Sequence, residues 1–576
     1  MPPSLTLPAP SVAAVPGASR ARAWARLSAL WHAPRSPQAI VCVLAVWLLA
    51  TANWALWGRL AQADGHTGSA LLLGLRFAAL VLPGTVLLLG LTAWPRWMKP
   101  VWALLLVVAA CAQHFMLSYG VVIDPVMVRN VLQTDAREGA DLWHPALLGH
   151  LALVAGVPLL WLWRLPVRSS GPVRNVVRTT VLVLAAAATL VLAVLGMYRE
   201  VAPVVRNNMA VRFAFNPVSP VLSAADVVLK PLLRRPKPFL SIAAGAQLGA
   251  TYASAQRPPL LVLVVGETAR ADHFALNGYP RDTTPELAQR GVLSWRNVHA
   301  CGTSTLQSVP CMFSHLGRDA YLRRVADYDN LLDVLQQAGL AVLWLDNQAG
   351  CKGVCARVPH ASTEDALATP AARRLCDGGE CLDDLMLEGL DARIAALPAE
   401  RRQRGVVLVM HQMGSHGPAY FKRSPADAKP FQPECRTNAL ADCPHDALVN
   451  VYDNSIHQTD RFLARTLDWV RSQQMRYDAG FLYLSDHGES LGEMGLYLHG
   501  MPYAVAPEAQ KHVPMVAWPG ALATRTGVDT ACLGRTLDAP LTHDNLYHTV
   551  LGLMDVRSST YQHTHDAFAP CRTQSG

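Results

Sequence analysis

The stretch LLVLVVGET, residues 260–268, decides the fold class of the second half of this 576-residue chain. A continuous apolar run of strand length is followed directly by a glycine, a carboxylate and a hydroxyl. Such a run is typical of a strand that is buried on both faces of a sheet by helices. From Pro258 onward the sequence therefore predicts an α/β domain with a central, mostly parallel sheet between helices.

Other apolar runs of strand length follow in the same half, and polar groups come directly after three of them. The runs are Leu340–Leu345, Val406–Met410, Phe481–Leu484 and Val513–Trp518. The first leads into Asp-Asn-Gln, the second into His-Gln-Met-Gly-Ser-His-Gly and the third into Ser-Asp-His-Gly-Glu. Because sites in open α/β sheets form beyond the carboxyl ends of the strands, we expect these groups and Glu267 to converge on one pocket.

The first part of the chain, up to Met197, carries the apolar excess of a sequence that is 51% hydrophobic and only 16% charged. Five runs there are long enough to span a bilayer. They are Ala39–Trp57, Ala70–Ala93, Val101–Leu117, Leu148–Trp163 and Thr179–Met197. This region is therefore predicted to be an α-helical membrane anchor of five transmembrane helices.

Basic residues predict the orientation of this anchor. They gather before the first run, after the second and after the fourth, and such loops face the cytoplasm. They are Arg20, Arg22, Arg26, Arg35, Arg96, Lys99, Arg164, Arg168, Arg174 and Arg178. With five spans, everything after Met197 then lies outside the inner membrane. We expect a cytoplasmic tail (1–38), a transmembrane domain (39–198), a periplasmic connector near the membrane (199–257) and a periplasmic catalytic domain (258–576).

Cysteine placement is an independent indication of an oxidising compartment. Ten of the 12 cysteines follow Met197, and an even number in an exported domain favours disulfides. Eight form close sequential couples and two are left to pair last, although the sequence leaves the connectivity open. In chain order they are Cys301, Cys311, Cys351, Cys355, Cys376, Cys381, Cys435, Cys443, Cys532 and Cys571. The alternative, a zinc ribbon, requires a more compact spacing than these cysteines have.

Two features of this half carry chemistry. Glu267 and the pair Asp486–His487 stand at two strand ends, and two carboxylates with an imidazole suit Zn²⁺. The segment CGTSTLQSVPC, residues 301–311, places hydroxyls before a predicted helix, whose N-terminus favours a phosphate. A hydroxyl there becomes a nucleophile when a metal lowers its pKa. Each feature alone has an ordinary alternative as a surface charge or a helix cap.

Several longer motifs resemble the lipid A phosphoethanolamine transferases, the family that includes the mobile colistin-resistance enzymes, within the alkaline phosphatase and sulfatase superfamily. They span the second half in order. They are VGETARADH (265–273), NGY (277–279), CGTST (301–305), SVPCMF (308–313), CKGVC (351–355), HQMGSHGP (411–418), YDNSI (452–456) and SDHGESLGE (485–493). The anchor of five predicted spans is similar as well.

The resemblance implies a role for each matching residue. Thr305 is the nucleophile, and Glu267, Thr305, Asp486 and His487 bind one tight zinc. His416 and His499 lie near the substrate phosphate or a second zinc used in turnover, and one of them is the general acid. Lys352 contacts phosphoethanolamine, and Gln348 stands in the same substrate region where some relatives carry asparagine.

Asn130, Thr134 and Glu138 match residues that the family uses to hold its lipid substrate. They are spaced by four, so that on one helix they share a face. The alternative is an ordinary amphipathic periplasmic helix.

The implied reaction moves phosphoethanolamine from phosphatidylethanolamine to a phosphate of lipid A, which lowers the surface negative charge and gives polymyxin and colistin resistance. Membrane lipids are the expected partners, with no nucleic acid and no obligate protein partner. The alternative is a sister enzyme that transfers phosphoethanolamine or glycerol phosphate to a core sugar or another glycan. A sulfatase-type hydrolase is disfavoured because the chain has no CxPxR motif.

Overall fold

The computed structural model describes residues 34–63, 70–94, 96–168, 171–207, 209–233, 236–377 and 380–573. Arg20, Arg22 and Arg26, with most of the predicted cytoplasmic tail, lie outside the described residues. The chain divides into two compact units. The anchor unit comprises residues 1–114 and 146–220, and the α/β unit comprises residues 115–145 and 221–576. The predicted domain boundaries at 38, 198 and 257 stay predictions.

The anchor unit is helical. Of its described helices, four are long and apolar enough to cross a membrane, and a pair bent by 48° makes a fifth when counted as one span. The helices that begin in or reach this unit are Pro37–Thr51, Trp54–Ala63, Ala70–Leu91, Met98–Ser118, Pro145–His150, the π-helix Leu151–Gly156, Val157–Arg164, Pro172–Gly196, Tyr198–Asn207, Met209–Phe213 and Val218–Leu233. The helical anchor predicted from the sequence is confirmed.

The bend in the first span lies at two buried asparagines. Asn53 donates its side-chain N–H to the carbonyls of Leu48 (3.0 Å) and Asn216 (2.8 Å). The amide of Asn216 in turn donates to the carbonyls of Ala52 (2.9 Å) and Ala109 (2.7 Å). A broken helix is tolerated in an apolar region only where its freed backbone groups find partners, and these amides supply them.

The α/β unit contains an eight-stranded sheet among its described residues. Its strands are β1 (Pro259–Gly266), β2 (Leu293–His299), β3 (Ala341–Asp346), β4 (His360–Ser362), β5 (Val406–His411), β6 (Asp478–Ser485), β7 (His512–Trp518) and β8 (Leu541–Thr542). Their order across the sheet is β8-β2-β7-β6-β1-β5-β3-β4. Only β7 runs antiparallel to its neighbours within this sheet. The predicted mostly parallel sheet is confirmed.

Both faces of the central strand β1 are buried, as the apolar run predicts. Leu261, Leu263 and Val265 pack into one core cluster and the alternate residues into a second. The register aligns the carboxyl ends of the central strands, because His411 pairs with Val265 and Ser485 pairs with Gly266. The residues that follow β1, β5 and β6 therefore emerge side by side.

Helices and short strands surround this sheet. Three helices are used below: α1 (Pro125–Gln133), α2 (Thr305–Met312) and α3 (His445–Ser472). The other α-helices are Ala136–Asp141, Thr251–Ser254, Pro285–Ala288, Arg318–Arg323, Leu331–Gln337, Ala372–Leu375, Leu390–Ala395, Ala399–Arg404, Gly520–Arg525, Thr530–Leu533 and Asp544–Leu553. Two-residue strands are Phe239–Leu240, Gln247–Leu248, Asp327–Tyr328, Cys376–Asp377, Glu380–Cys381, Ser490–Leu491, Tyr497–Leu498 and Val556–Arg557.

Within the described part of the α/β unit, the ten cysteines form five disulfides. The pairs are 301–311, 351–355, 376–381, 435–443 and 532–571. Each sequential couple pairs with itself, and the last two cysteines join each other. The arrangement fits an exported domain.

The expectation that Asn130, Thr134 and Glu138 share one helix is wrong. Helix α1 ends at Gln133, and Thr134 is extended (φ −64°, ψ 128°). Glu138 belongs to the next helix, because the Asp135 side chain accepts from the N–H groups of Arg137 (2.8 Å) and Glu138 (2.9 Å) and so starts a new helix there. An aspartate N-cap at this point is a strong helix start that spacing alone does not reveal.

Candidate active site

Three buried side chains meet where β1 and β6 end. Glu267, Asp486 and His487 each offer one ligand atom, and these atoms lie within 4.8 Å of one another. The Nε2 of His487 is 3.4 Å from Glu267 Oε1 and 3.4 Å from Asp486 Oδ2. We call these three residues the metal cluster, because two carboxylates and an imidazole at this separation can hold a metal ion.

The metal cluster has atoms that a cation would satisfy. Glu267 Oε1 and Asp486 Oδ2 are buried and have no hydrogen-bond partner among the described residues. His487 Nδ1 is 2.9 Å from the carbonyl of Gly488, so this nitrogen carries the proton and donates it. Nε2 is then unprotonated, and its lone pair faces the two free oxygens. This is the tautomer in which Nε2 can bind a metal. The residues present fit a divalent metal.

Burial shifts the pKa values of all three side chains of the metal cluster. Burial, and next the carboxylate of Asp486, raise the pKa of Glu267 well above its ordinary value. Burial raises the pKa of Asp486 to about 6. Burial also lowers the pKa of His487 well below its ordinary value, which keeps the imidazole neutral. Two desolvated carboxylates side by side are unfavourable unless a positive charge compensates them.

Thr305 lies at this cluster as the first residue of α2. Its Oγ1 donates to Glu267 Oε2 (3.1 Å) and is 3.4 Å from His487 Nε2. The N-terminus of α2 leaves backbone N–H groups without helical partners, and these favour a phosphate. A hydroxyl, an electropositive helix end and a metal-binding cluster are therefore brought together at one point.

The turn before Thr305 is held from several directions. Cys301 is joined to Cys311 within α2, and its N–H donates to His543 Nδ1 (3.0 Å). The N–H of Gly302 donates to Ser308 Oγ (2.9 Å), and Thr303 Oγ1 donates to the carbonyl of Met501 (2.6 Å). These contacts fix the position of the Thr305 hydroxyl, and small misplacements of a reacting group cost large factors in rate.

All of the predicted substrate residues except Gln348 line one cavity of about 180 Å³, which we call the site cavity. Thr305 is in its wall. Six others of the predicted residues also line it, namely Asn130, Thr134, Glu138, Lys352, His416 and His499. The rest of the wall is largely apolar, with Phe115, Tyr119, Val121, Met127, Val131 and Leu498 among its members. The lining of the cavity thus combines polar and apolar side chains, as an amphiphilic substrate requires.

The two histidines of the site cavity differ in their surroundings. Their rings are 5.4 Å apart, and the His499 ring is 4.4 Å from that of His487. Burial lowers the pKa of His416 well below its ordinary value. Burial also acts to lower the pKa of His499, but its net pKa is raised, because Glu489, whose Oε1 lies 3.2 Å from His499 Nδ1, and the carboxylates of Asp486 and Glu138 together outweigh burial.

Gln348 forms a hydrogen bond with Glu267 of the metal cluster. Its Nε2 donates to Glu267 Oε2 (2.8 Å), while its own N–H donates to Asp346 Oδ1 at the end of β3 (2.8 Å). It is not among the described residues that line the site cavity. The structure brings Gln348 to the metal cluster, where an amide donor orients a carboxylate.

Sequence analysis missed two residues that shape the site. Glu489 holds His499, and the signal was its place two residues after His487 in the SDHGE motif. Asp383 accepts from the backbone N–H groups of Met413 (2.7 Å) and Gly414 (3.1 Å), which fixes the loop against Glu267. No local pattern marks Asp383, because its partners are about 30 residues away in the chain.

The fold and the site define a membrane-anchored enzyme of the alkaline phosphatase and sulfatase class. Residues 259–556 match the Sulfatase family model, and residues 81–232 match the model described as Phosphoethanolamine transferase EptA/EptB.

Relatives that match most of the chain specify the family within this class. Phosphoethanolamine transferase EptA of Salmonella typhimurium is 38% identical over 82% of this chain and 85% of its own. Phosphatidylethanolamine transferase Mcr-1 of Escherichia coli is 38% identical over 90% of this chain and 95% of its own. The solved structure of the integral membrane protein lipooligosaccharide phosphoethanolamine transferase A of Neisseria meningitidis is 32% identical, with a TM-score of 0.87, and covers 94% of this chain and 99% of that one.

The chain belongs to the phosphoethanolamine transferase family. It is an inner-membrane enzyme with a periplasmic C-terminal domain, and the family, enzyme class and location predicted from the sequence are confirmed.

Proposed function

We propose that this enzyme transfers phosphoethanolamine from phosphatidylethanolamine to a phosphate of lipid A through a covalent intermediate on Thr305. The observation that carries the proposal is the position of Thr305 Oγ1. This atom is 3.1 Å from Glu267 of the metal cluster, and Thr305 itself begins a helix and lines a cavity that has both polar and apolar side chains.

The names of the relatives support both substrates. The donor appears in the name of the Mcr-1 relative, phosphatidylethanolamine transferase. A lipooligosaccharide acceptor appears in the name of the Neisseria meningitidis structure. A more distant relative, the Kdo(2)-lipid A phosphoethanolamine 7''-transferase of Escherichia coli, is 28% identical over 52% of this chain. These names support an acceptor built on lipid A, and the choice of a lipid A phosphate over a core sugar is part of the proposal.

Glu267, Asp486, His487 and the hydroxyl of Thr305 would hold one zinc ion. When bound there, zinc lowers the pKa of a hydroxyl and offsets negative charge on phosphoryl oxygens. A second zinc during turnover would fall to His416 and His499, whose rings are 5.4 Å apart on the same cavity. Neutral imidazoles are the form that ligates a metal, and burial favours that form at His416.

In the first half-reaction Thr305 Oγ attacks the phosphorus of the donor. The new Oγ–P bond forms as the bond from phosphorus to the glycerol oxygen breaks, and the threonine proton passes to Glu267 Oε2, which accepts its hydrogen bond. Diacylglycerol leaves as an alcohol after one of the two histidines of the site cavity gives it a proton. Lys352 and the α2 N-terminus hold the phosphoryl oxygens, and Asn130, Thr134 and Glu138 hold the rest of the headgroup.

In the second half-reaction a phosphate oxygen of lipid A attacks the same phosphorus. The Oγ–P bond breaks, Thr305 regains its proton from Glu267, and lipid A carries phosphoethanolamine through a new phosphoanhydride bond. The product has an added ammonium group that offsets phosphate charge. Weaker attraction of cationic peptides such as polymyxin and colistin follows from that charge change.

Mass spectrometry of lipid A from cells that express wild type or Thr305→Ala tests the proposal. We expect a mass increase of one phosphoethanolamine group with wild type only. Unchanged lipid A from well-expressed wild type would contradict the acceptor assignment and leave transfer to a core sugar or another glycan as the function. Modified lipid A with Thr305→Ala would contradict the covalent mechanism.

A further inference from the structure

A second, larger cavity of about 800 Å³ adjoins the site cavity within the α/β unit. We call it the basic cleft. Gln133, Leu306 and Lys352 line both cavities, and Leu306 follows Thr305 in the chain. The volume is in the range of ligand-binding clefts. A molecule whose reacting group lies at Thr305 can therefore extend directly into the basic cleft.

The lining of the basic cleft is strongly cationic. Five basic side chains face two acidic ones. The basic residues are Arg129, Lys237, Arg324, Lys352 and Arg357, and the acidic ones are Asp327 and Asp329. A concave surface lined by one sign of charge concentrates ligands of the opposite sign. The cleft therefore favours an anion.

Both acidic side chains of the basic cleft already have partners within the protein. Three of its basic side chains have no carboxylate partner among the described residues. Asp329 accepts from Ser241 Oγ (2.6 Å) and from two neighbouring backbone N–H groups, and Asp327 pairs with Arg324. Arg357 pairs with Asp333. Within the described part of the chain, Arg129, Lys237 and Lys352 have no carboxylate partner. Arg129 and Lys237 are exposed and can reach a ligand.

Apolar groups accompany these charges. Phe239 is 51% exposed and Leu322 is 53% exposed, and both line the basic cleft. The Arg357 guanidinium lies 5.0 Å from the centre of the Phe239 ring. Unpaired cations next to exposed apolar and aromatic surface suit a ligand that carries phosphate on a sugar or lipid frame, since sugars pack on such surface while their phosphates reach the cations.

The charge of the cleft also distinguishes between the two substrates. The donor headgroup is zwitterionic, and its one phosphate must lie at Thr305 to react. Its ammonium group would be repelled by Arg129 and Lys237. A lipid A acceptor with two phosphates keeps one free when the other is attacked. Only the acceptor therefore brings an anion that the basic cleft could bind.

We propose that the basic cleft binds the second phosphate and the attached sugar of a doubly phosphorylated glycolipid acceptor, with Arg129 and Lys237 as its phosphate contacts. This inference rests on the proposed function, because it assigns the part of the acceptor that does not react. It makes Arg129 and Lys237 specificity determinants for the second half-reaction.

A substrate-by-variant comparison tests this inference with the full-length protein in detergent micelles. The variant is Arg129→Gln combined with Lys237→Gln, and the acceptors are diphosphoryl and monophosphoryl lipid A. A charge-matched control combines Arg476→Gln with Arg557→Gln, which are exposed and outside both cavities. Release of diacylglycerol from fluorescent phosphatidylethanolamine without acceptor reports the first half-reaction separately.

We expect the KM for diphosphoryl lipid A to rise about tenfold in the cleft variant, as two charge-assisted contacts are lost. With monophosphoryl lipid A the cleft variant and wild type should differ less than about twofold. The control variant should match wild type on both acceptors. Arg129→Lys combined with Lys237→Arg keeps both charges and should recover most of the acceptor affinity, which also shows that the fold tolerates changes at these positions.

Three results would overturn the inference. They are an equal loss on both acceptors, a parallel loss of diacylglycerol release, and a KM for diphosphoryl lipid A that does not change. Wild type that releases diacylglycerol but modifies neither acceptor would contradict the proposed function itself, and the inference falls with it. The two failures are therefore distinguishable.

Discussion

The metal cluster, which contacts Thr305 of the site cavity, and the basic cleft differ in how they are built. Glu267, Asp486 and His487 are buried at the ends of parallel strands, and their free oxygens have no partner among the described residues. Arg129 and Lys237 are exposed and lie outside the sheet. Charges in the buried metal cluster interact strongly with a reacting group, because little water screens them. The exposed charges of the basic cleft are screened by water and salt, which suits them to substrate recognition. Substitutions in the first should therefore affect every substrate, and those in the second only some.

The largest effect is expected for Thr305→Ala, which removes the attacking atom. Loss of a nucleophile lowers kcat by at least about 10⁴-fold in comparable enzymes, whereas the fold should persist because the change deletes only a small side chain. Diacylglycerol release and Tm, measured on the same preparation, check both parts. Thr305→Ser keeps a hydroxyl and should retain measurable activity. Equal inactivity of the serine variant, in a folded protein, would contradict a role that depends on the hydroxyl.

Asp486→Asn should have the next largest effect. It replaces a carboxylate of the metal cluster with a weaker ligand, so that zinc affinity should fall at least about a hundredfold. Zinc content after dialysis, measured by elemental analysis, is the readout. Asp384→Asn is the control, because this buried carboxylate pairs with Arg465, is not part of the metal cluster and should lower Tm without loss of zinc. Full zinc content in Asp486→Asn would show that the metal lies elsewhere.

Gly414→Ala tests how closely the loop after β5 supports the cluster. Gly414 has a positive φ of 51°, and an added Cβ would lie 2.7 Å from the carbonyl oxygen of Glu267. We expect kcat to fall about tenfold to a hundredfold as Glu267 is displaced. Gly389→Ala separates this steric effect from backbone strain, since Gly389 has a similar φ of 71° with nothing within 4 Å of the added Cβ. Equal losses in both variants would contradict displacement of Glu267.

The smallest expected effect is on stability alone. It comes from Asp460, which belongs to neither the metal cluster nor the basic cleft. Burial raises the pKa of Asp460, on α3, to about 7, above the value of about 3.9 in an unfolded chain. The folded protein binds this proton more tightly, so the group stabilises the fold fully below about pH 4 and loses that contribution as the pH rises through about 7. The Tm of Asp460→Asn relative to wild type should therefore improve between about pH 5 and pH 8.

Asp446→Asn, at an exposed position on the same helix, is the control for this pH series and should follow wild type. A constant difference in Tm between Asp460→Asn and wild type across the series would contradict the raised pKa. Neither variant should change the zinc content or the acceptor preference.

The metal cluster can be predicted from the sequence better than the basic cleft, and the reason is physical. The run before Glu267 and the run before Asp486 are apolar throughout, so that both strands and their polar ends can be predicted locally. The break at Thr134 depends on the Asp135 cap, which competes with a continuous helix. The basic cleft joins residues as distant in sequence as Arg129, Lys237 and Lys352, and only the fold brings their charges to one surface.

The covalent intermediate on Thr305 is the central claim, and peptide mass spectrometry tests it most directly. Purified wild-type protein would be incubated with phosphatidylethanolamine without acceptor, digested and searched for a phosphoethanolamine adduct. We predict the adduct on the peptide that contains Thr305, and its disappearance when lipid A is added. Consumption of the donor with no adduct on Thr305, or with the adduct on another residue, would contradict the account.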